Sequence, residues 1–325
     1  MRNILALIIF IILQILFIPL AIVGGIWAGY KQLAMSKRLG VSQTAIEILN
    51  GRWTMHIFGL RDDAAAAQLA PVLPNTSTFG LWLALFPLYV LSHINGAPKW
   101  YPVIAKLGEE GISNLITNRT GYFDTIIDNA KDDAEQLVVM GAGLDTRAYN
   151  DLKHSGLKIF ELDQVANQKH KRQYLQKAAI DTAHVTFVET DFSQGDWFSS
   201  LIEAGYDSTK RTIFLWEGVT LYLGEGSVRN TLRTVKSNSA EGSVIVADIY
   251  AKSFVTGEYA RSMKATLPIL DMTDEQLAFG LDMTGDYQQS LETFIMSEGL
   301  TLGNTYFMGH KTEKGVWMVV AELKI

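Results

Sequence analysis

The sequence predicts a doubly wound α/β domain behind an N-terminal membrane-spanning helix, on three observations. Five short apolar runs alternate with helical stretches over 137–248, the rhythm of a parallel sheet with crossover helices. Each run carries a polar residue at its carboxyl end, where such sheets bind ligands. Ahead of them, residues 4–30 are almost entirely apolar.

The first run is the most informative. Residues 137–149 (LVVMGAGLDTRAY) read as a buried strand, a glycine turn and the start of a helix. Gly141 and Gly143 let the backbone turn sharply and admit a ligand with no Cβ in the way. A dinucleotide fingerprint wants a third glycine, where this chain has Thr146. Asp145 stands where a pyrophosphate would approach, and a carboxylate at a helix N-terminus competes with an anion for the same N–H groups. The turn therefore suits a ligand bearing positive charge. S-adenosylmethionine, with its sulfonium and ammonium, fits better than NAD.

The later strands extend this reading. The second, 157–163, ends in Asp163, which follows Gly141 by 22 residues. That is close to the spacing of about 20 at which an acid accepts hydrogen bonds from ribose hydroxyls. The third, 185–191, ends in Asp191; the fourth, 212–217, in Glu217 followed by Gly218; the fifth, 243–248, in Asp248. Capping of the next helix explains any one of these acids. The whole series in register favours a ligand-binding edge.

Four ordered motifs carry a family resemblance: 119–124 (RTGYFD), 141–149 (GAGLDTRAY), 160–164 (FELDQ) and 217–223 (EGVTLYL). Together they resemble the leucine carboxyl methyltransferase family, which includes many bacterial S-adenosylmethionine-dependent O-methyltransferases. The resemblance covers about 113–248 well and the C-terminal part loosely. It implies a class I methyltransferase fold, a mostly parallel seven-stranded sheet of Rossmann-like form with an antiparallel C-terminal strand. It implies S-adenosyl-L-methionine as cofactor, with Arg119 on the methionine carboxylate and Gly141 and Gly143 beneath the methionine part. Asp163 would hold the ribose, Asp191 and Phe192 the adenine, and Glu217 the ammonium. Tyr222 would lie close to the acceptor, so Tyr222 and Glu217 are the candidates at the reacting end. A guanidinium gripping a carboxylate through two parallel bonds makes the Arg119 role reasonable. A surface salt bridge for Arg119 and a core aromatic for Tyr222 are the plain alternatives. The family's substrate-side lysine has no secure match; Lys37 is the nearest, beside the apolar segment.

Composition bounds the rest. The chain has 325 residues, 48% of them hydrophobic, enough for one large domain with an extension. A net charge of −6 gives no basic footprint for nucleic acid. There is no cysteine, which excludes disulfides, cysteine-ligated zinc and cysteine nucleophiles. The six histidines show no metal-like spacing, so no metal is expected.

A helix over 4–30 would extend about 40 Å, more than the roughly 30 Å hydrocarbon core of a bilayer. A signal peptide has a shorter apolar core and a small-residue cleavage site; here the run is longer and no such site follows. A retained transmembrane anchor over 1–30 is the expectation. Arg2 precedes the span and Lys31, Lys37 and Arg38 follow it, which favours a single-pass protein with its catalytic part in the cytoplasm. Trp27 and Tyr30 fit an interfacial belt. A second apolar stretch, 79–94, holds Pro87 and is short for a span. A re-entrant or interfacial helix and a buried lid helix are equally open readings of it.

Residues 31–130 read as a helical cap on the substrate side, with helices over 40–59, 61–70, 101–107 and 121–130. The methyltransferase domain is expected over 131–325. Within it, 253–287 reads as an insertion broken by Pro268, 288–299 as a last helix, and 300–308 with 315–323 as a strand pair. Methyl transfer to an ionised carboxylate needs no general base, whereas a hydroxyl acceptor does. No histidine falls within the motifs, so a carboxylate or acidic hydroxyl is the expected acceptor. It would belong to a small molecule, a lipid or a protein, and the apolar segments favour a lipophilic or membrane-associated one. Two rival readings are an NAD-dependent reductase on a similar fold and a catalytically silent membrane scaffold.

Overall fold

The computed structural model describes residues 2–192, 197–271 and 275–325. Residues 272–274, inside the expected insertion, lie outside the described residues, as do 193–196. The chain forms two compact units. One comprises Met1–Ile104, Leu144–Asn150 and His170–Asp181; the other comprises Ala105–Gly143, Asp151–Lys169 and Thr182–Ile325. Stretch 105–130, expected in the N-terminal cap, thus belongs with the sheet.

The first unit is helical. The helix α1 (Arg2–Tyr30) runs through a π-helical turn into α2 (Ser36–Leu39), and Gly40, at φ +63, ends it. Next come α3 (Gln43–Ile57), α4 (Ala64–Leu69) and α5 (Thr78–Asn95). Each of these three starts at a side-chain cap, which satisfies a backbone donor that the helix cannot. Ser42 accepts from Ala45 N at 3.0 Å, Asp63 from Ala66 N at 2.9 Å and Ser77 from Gly80 N at 3.1 Å. The apolar stretch expected at 79–94 is α5, one helix that accommodates Pro87 and stops at Gly96, φ +82. It lies antiparallel to α1. Their backbones meet at Gly24 and Gly80, where a Cβ on Gly80 would fall 2.6 Å from the Gly24 carbonyl oxygen. Phe17 stacks on Phe86 further along, with ring centroids 5.0 Å apart.

The second unit opens with α6 (Leu115–Ala130) and then builds the sheet. Its strands are β1 (Gln136–Met140), β2 (Lys158–Asp163), β3 (Val185–Glu189), β4 (Thr212–Trp216), β5 (Val244–Tyr250), β6 (Thr301–Met308) and β7 (Met318–Lys324). Between them lie α7 (Val165–Lys177), whose first turn belongs to this unit, α8 (Trp197–Glu203), α9 (Glu225–Ser237), α10 (Lys252–Val255), α11 (Arg261–Asp271) and α12 (Tyr287–Ser297). The order is β3-β2-β1-β4-β5-β7-β6, parallel except that β7 runs antiparallel to both neighbours. The seven strands, the parallel majority and the antiparallel strand near the C-terminus are as the sequence predicts. Strands β1, β4 and β5 read as near-continuous apolar runs because both faces are covered. Val138, Phe160, Phe214 and Ile245 are fully buried, each contributing about 1.5–3 kcal/mol by leaving water.

Three expected elements differ. No helix forms over 101–107; there the Ala105 N–H and carbonyl both bond the Asn118 side chain, at 2.9 Å each, instead of a helical ladder. The helix expected after the glycine turn is a 3-10 turn, Arg147–Tyr149. Pro268 lies inside α11 rather than breaking the segment.

Candidate active site

The strand order reverses between β1 and β4, since the chain moves outward to β2 and β3 on one side and to β5 on the other. In such sheets a crevice opens beyond the carboxyl ends at this point. The turns after β1 and β4 line it side by side. Gly141 has φ +69, and a Cβ there would fall 2.5 Å from Val219 Cγ2, so glycine is required for the close approach of the two turns. Gly143, at φ +41, gives its N–H to Asp163 Oδ2 at 2.6 Å. The other oxygen of Asp163 accepts from Gln164 N at 2.7 Å and Asn167 Nδ2 at 2.8 Å. Asp163 therefore fixes the glycine turn to the end of β2, a positioning role that spacing alone does not reveal. Asp191 and Phe192 follow β3, and Phe192 packs against Trp197 with ring centroids 5.1 Å apart.

Arg119 on α6 is the centre of a buried charged cluster. Its Nε lies 3.2 Å from Glu217 Oε1, and its NH1 lies 3.2 Å from Asp248 Oδ2 and 2.7 Å from the Tyr250 hydroxyl. Arg119 is 3% exposed and Asp248 0%. Gly218, at φ +69, donates its N–H to both oxygens of Asp248, at 2.9 and 3.0 Å. Burial works against the guanidinium charge, but Tyr250, Glu217 and Asp248 outweigh it and raise the Arg119 pKa. Burial pushes the Asp248 carboxyl up to about 6, against the pull of Arg119 and the Gly218 N–H. Burial also holds the Tyr250 hydroxyl well above its ordinary value. Tyr222 lies in a 3-10 turn that follows Glu217 and Gly218 at the end of β4.

The structure thus gathers Arg119 and Glu217 with two residues outside the sequence motifs, Asp248 as a partner and Tyr250, and Tyr222 follows on the turn after β4. The signal for Tyr250 was its place two residues beyond Asp248 on one strand, hence on the same face.

Asp145 belongs to the helical unit, where, unlike the open carboxylate expected from the sequence, it is already paired. Its Oδ2 meets Arg52 NH2 at 2.8 Å and Arg147 NH1 at 2.5 Å, and its Oδ1 accepts from Arg147 N at 2.8 Å. Burial disfavours the ionised carboxyl, but the two arginines outweigh it and hold its pKa below the ordinary range. The carboxylate is compensated within the protein and is not an open negative charge awaiting a cation. Among the described residues no group of three His, Asp or Glu side chains is arranged to hold a metal.

A sequence model of the leucine carboxyl methyltransferase family matches residues 96–236. A putative S-adenosyl-L-methionine-dependent methyltransferase of Mycobacterium avium (strain 104) is 30% identical over 220 residues, covering 67% of this chain and 69% of that protein. The chain belongs to the leucine carboxyl methyltransferase family. A second relative, a putative S-adenosyl-L-methionine-dependent methyltransferase of Mycolicibacterium smegmatis, is 31% identical over 194 residues, 58% of this chain and 61% of its own. Among solved structures, a DUF574 family protein from Streptomyces avermitilis aligns with a TM-score of 0.48 at 12% identity, over 66% of this chain and 84% of that one. The family match spans Arg119, the glycine turn, Asp163, Glu217 and Tyr222.

Proposed function

We propose that this family member transfers a methyl group from S-adenosylmethionine to a carboxylate, or an acidic hydroxyl, of a lipophilic or membrane-associated acceptor. S-adenosylmethionine-dependent methyl transfer is the activity that family membership carries. The acceptor and the membrane association are our reading.

The observation that carries it is the Arg119–Glu217–Asp248 cluster at the sheet's reversal point. The amino-acid end of S-adenosylmethionine bears a carboxylate and an ammonium together. A buried guanidinium flanked by carboxylates matches both charges, so the donor set fits this group. Arg119 would take the carboxylate and Glu217 the ammonium; Asp163 would hold the ribose, and Asp191 with Phe192 the adenine. When bound, the sulfonium supplies an already activated methyl carbon. The protein's share is to orient, to exclude water and to place the acceptor in line. Tyr222 would face the acceptor. An acceptor carboxylate is ionised at neutral pH, so this site needs no base to receive a proton.

The acceptor's lipophilic character is inferred from α1, which has large apolar residues exposed along its length. The test is to incubate membranes containing the full chain with S-adenosylmethionine labelled in its methyl group. Label entering a lipid-extractable product and released by mild base, as a methyl ester requires, is the expected result. Lipid-extractable label that resists base assigns the methyl to the hydroxyl as an ether instead of the carboxylate, and label that appears only in water-soluble products contradicts the proposal.

A further inference from the structure

The helical unit holds a contradiction between the composition of α1 and the company it keeps. By composition and length α1 could cross a bilayer, and so could α5. A helix that crosses alone projects from its protein, with nothing polar beside it. Here α5 lies along α1, and the segment at the end of α3 touches α5 through two aromatic pairs. Trp53 meets Trp82 and Phe58 meets Tyr89, each pair with ring centroids 5.8 Å apart. These two contacts, one from α3 and one from the residue that follows it, run in the same direction along α5.

The level of each contact on α1 follows from the antiparallel pairing. Gly80 sits at Gly24 and Phe86 at Phe17. Trp82 is then near the level of Ile22, and Tyr89 one turn beyond Phe17, near the middle of the apolar run. Phe58 touches Tyr89 there, and Arg61, Asp62 and Asp63 follow it directly. The Asp62 side chain is 89% exposed. Arg52, next to Trp53, carries the buried ion pair with Asp145. Were α1 perpendicular to the bilayer, all of these charges would stand within the hydrocarbon slab, which is expensive for each of them.

We infer that α1 and α5 meet the bilayer side-on, with both ends of α1 on the same side of the membrane. This rests on the membrane association proposed above and replaces the single crossing that sequence alone predicts. The occupant of the exposed face is lipid. The exposed residues Leu7, Ile12, Ile15, Leu16, Ile18 and Leu20 wrap more than half of the helix at 100° per residue. A protein partner covers one stripe, as α5 does; lipid covers the whole remainder. Trp27 and Tyr30, stacked with centroids 5.9 Å apart, and Lys31, Lys37 and Arg38 then mark where the layer leaves the lipid.

The absence of cysteine makes the test clean, because an introduced thiol is the only one. Full chains carrying Asn3→Cys or Arg38→Cys are made in cells and treated with a membrane-impermeant maleimide, before and after permeabilisation. Both thiols are expected to label equally under each condition, in protein that sediments with membranes. Labelling of the Asn3→Cys thiol from one side and the Arg38→Cys thiol from the other shows a crossing and overturns this inference alone. Protein that stays in the supernatant, as a monomer or as a dimer of this chain, overturns the membrane reading and this inference together.

Discussion

Asp248 makes three demands on the site at once. It fixes the Gly218 backbone, orients Arg119, and shares a buried space with Glu217. Its pKa, raised by burial to about 6 from an ordinary 3.8, has a consequence for stability. A carboxyl that binds its proton more tightly when folded favours the fold fully below its unfolded pKa. That contribution is lost as pH rises through the folded value. Urea unfolding of the wild type should therefore show a loss of stability between about pH 4 and pH 6 that Asp248→Asn lacks. Identical pH dependence in the two proteins would remove Asp248 as the source. None of this could be read from the sequence, because Arg119 meets Asp248 and Tyr250 across 129 and 131 residues. Asp145 teaches a similar lesson. Its local pairing with Arg147 was within reach of the sequence, but Arg52 is 93 residues away.

At the scale of elements, the strands were the legible part. The apolar runs of β1, β4 and β5 are covered on both faces, so their pattern needs no knowledge of partners. The misread segments are those whose hydrogen bonds go elsewhere, such as 101–107 tied to Asn118. The α1–α5 pair was also illegible, since each glycine looks like an ordinary small residue until the two are seen opposed. Gly80→Leu should force the helices apart, because the nearest atom to the new Cβ is backbone. A loss of about 1–3 kcal/mol is expected from such overpacking. Gly25→Ala is the control, with no neighbour within 4 Å of its Cβ. Thermal unfolding of both in detergent checks this; equal stability would mean that Gly24 and Gly80 do not set the crossing.

For the molecule as a whole, the family assignment joins two halves of the chemistry. The sheet supplies a charged crevice suited to a zwitterionic amino-acid end, and α1 supplies an apolar face suited to lipid. Their conjunction motivates a lipophilic acceptor. The cofactor half was legible because its motifs follow the strand ends in order. The acceptor half rests on the proposal for α1, because apolar composition alone does not distinguish a crossing helix from one that meets a bilayer side-on. The central claim remains the cofactor site, and calorimetry with S-adenosylhomocysteine tests it most directly. The wild type should bind it, and should not bind NADH. Asp163→Ala should bind about 10- to 100-fold more weakly, from the loss of one charged hydrogen-bonding group. A wild type that fails to bind S-adenosylhomocysteine, or an Asp163→Ala protein that binds it as tightly, would contradict the account.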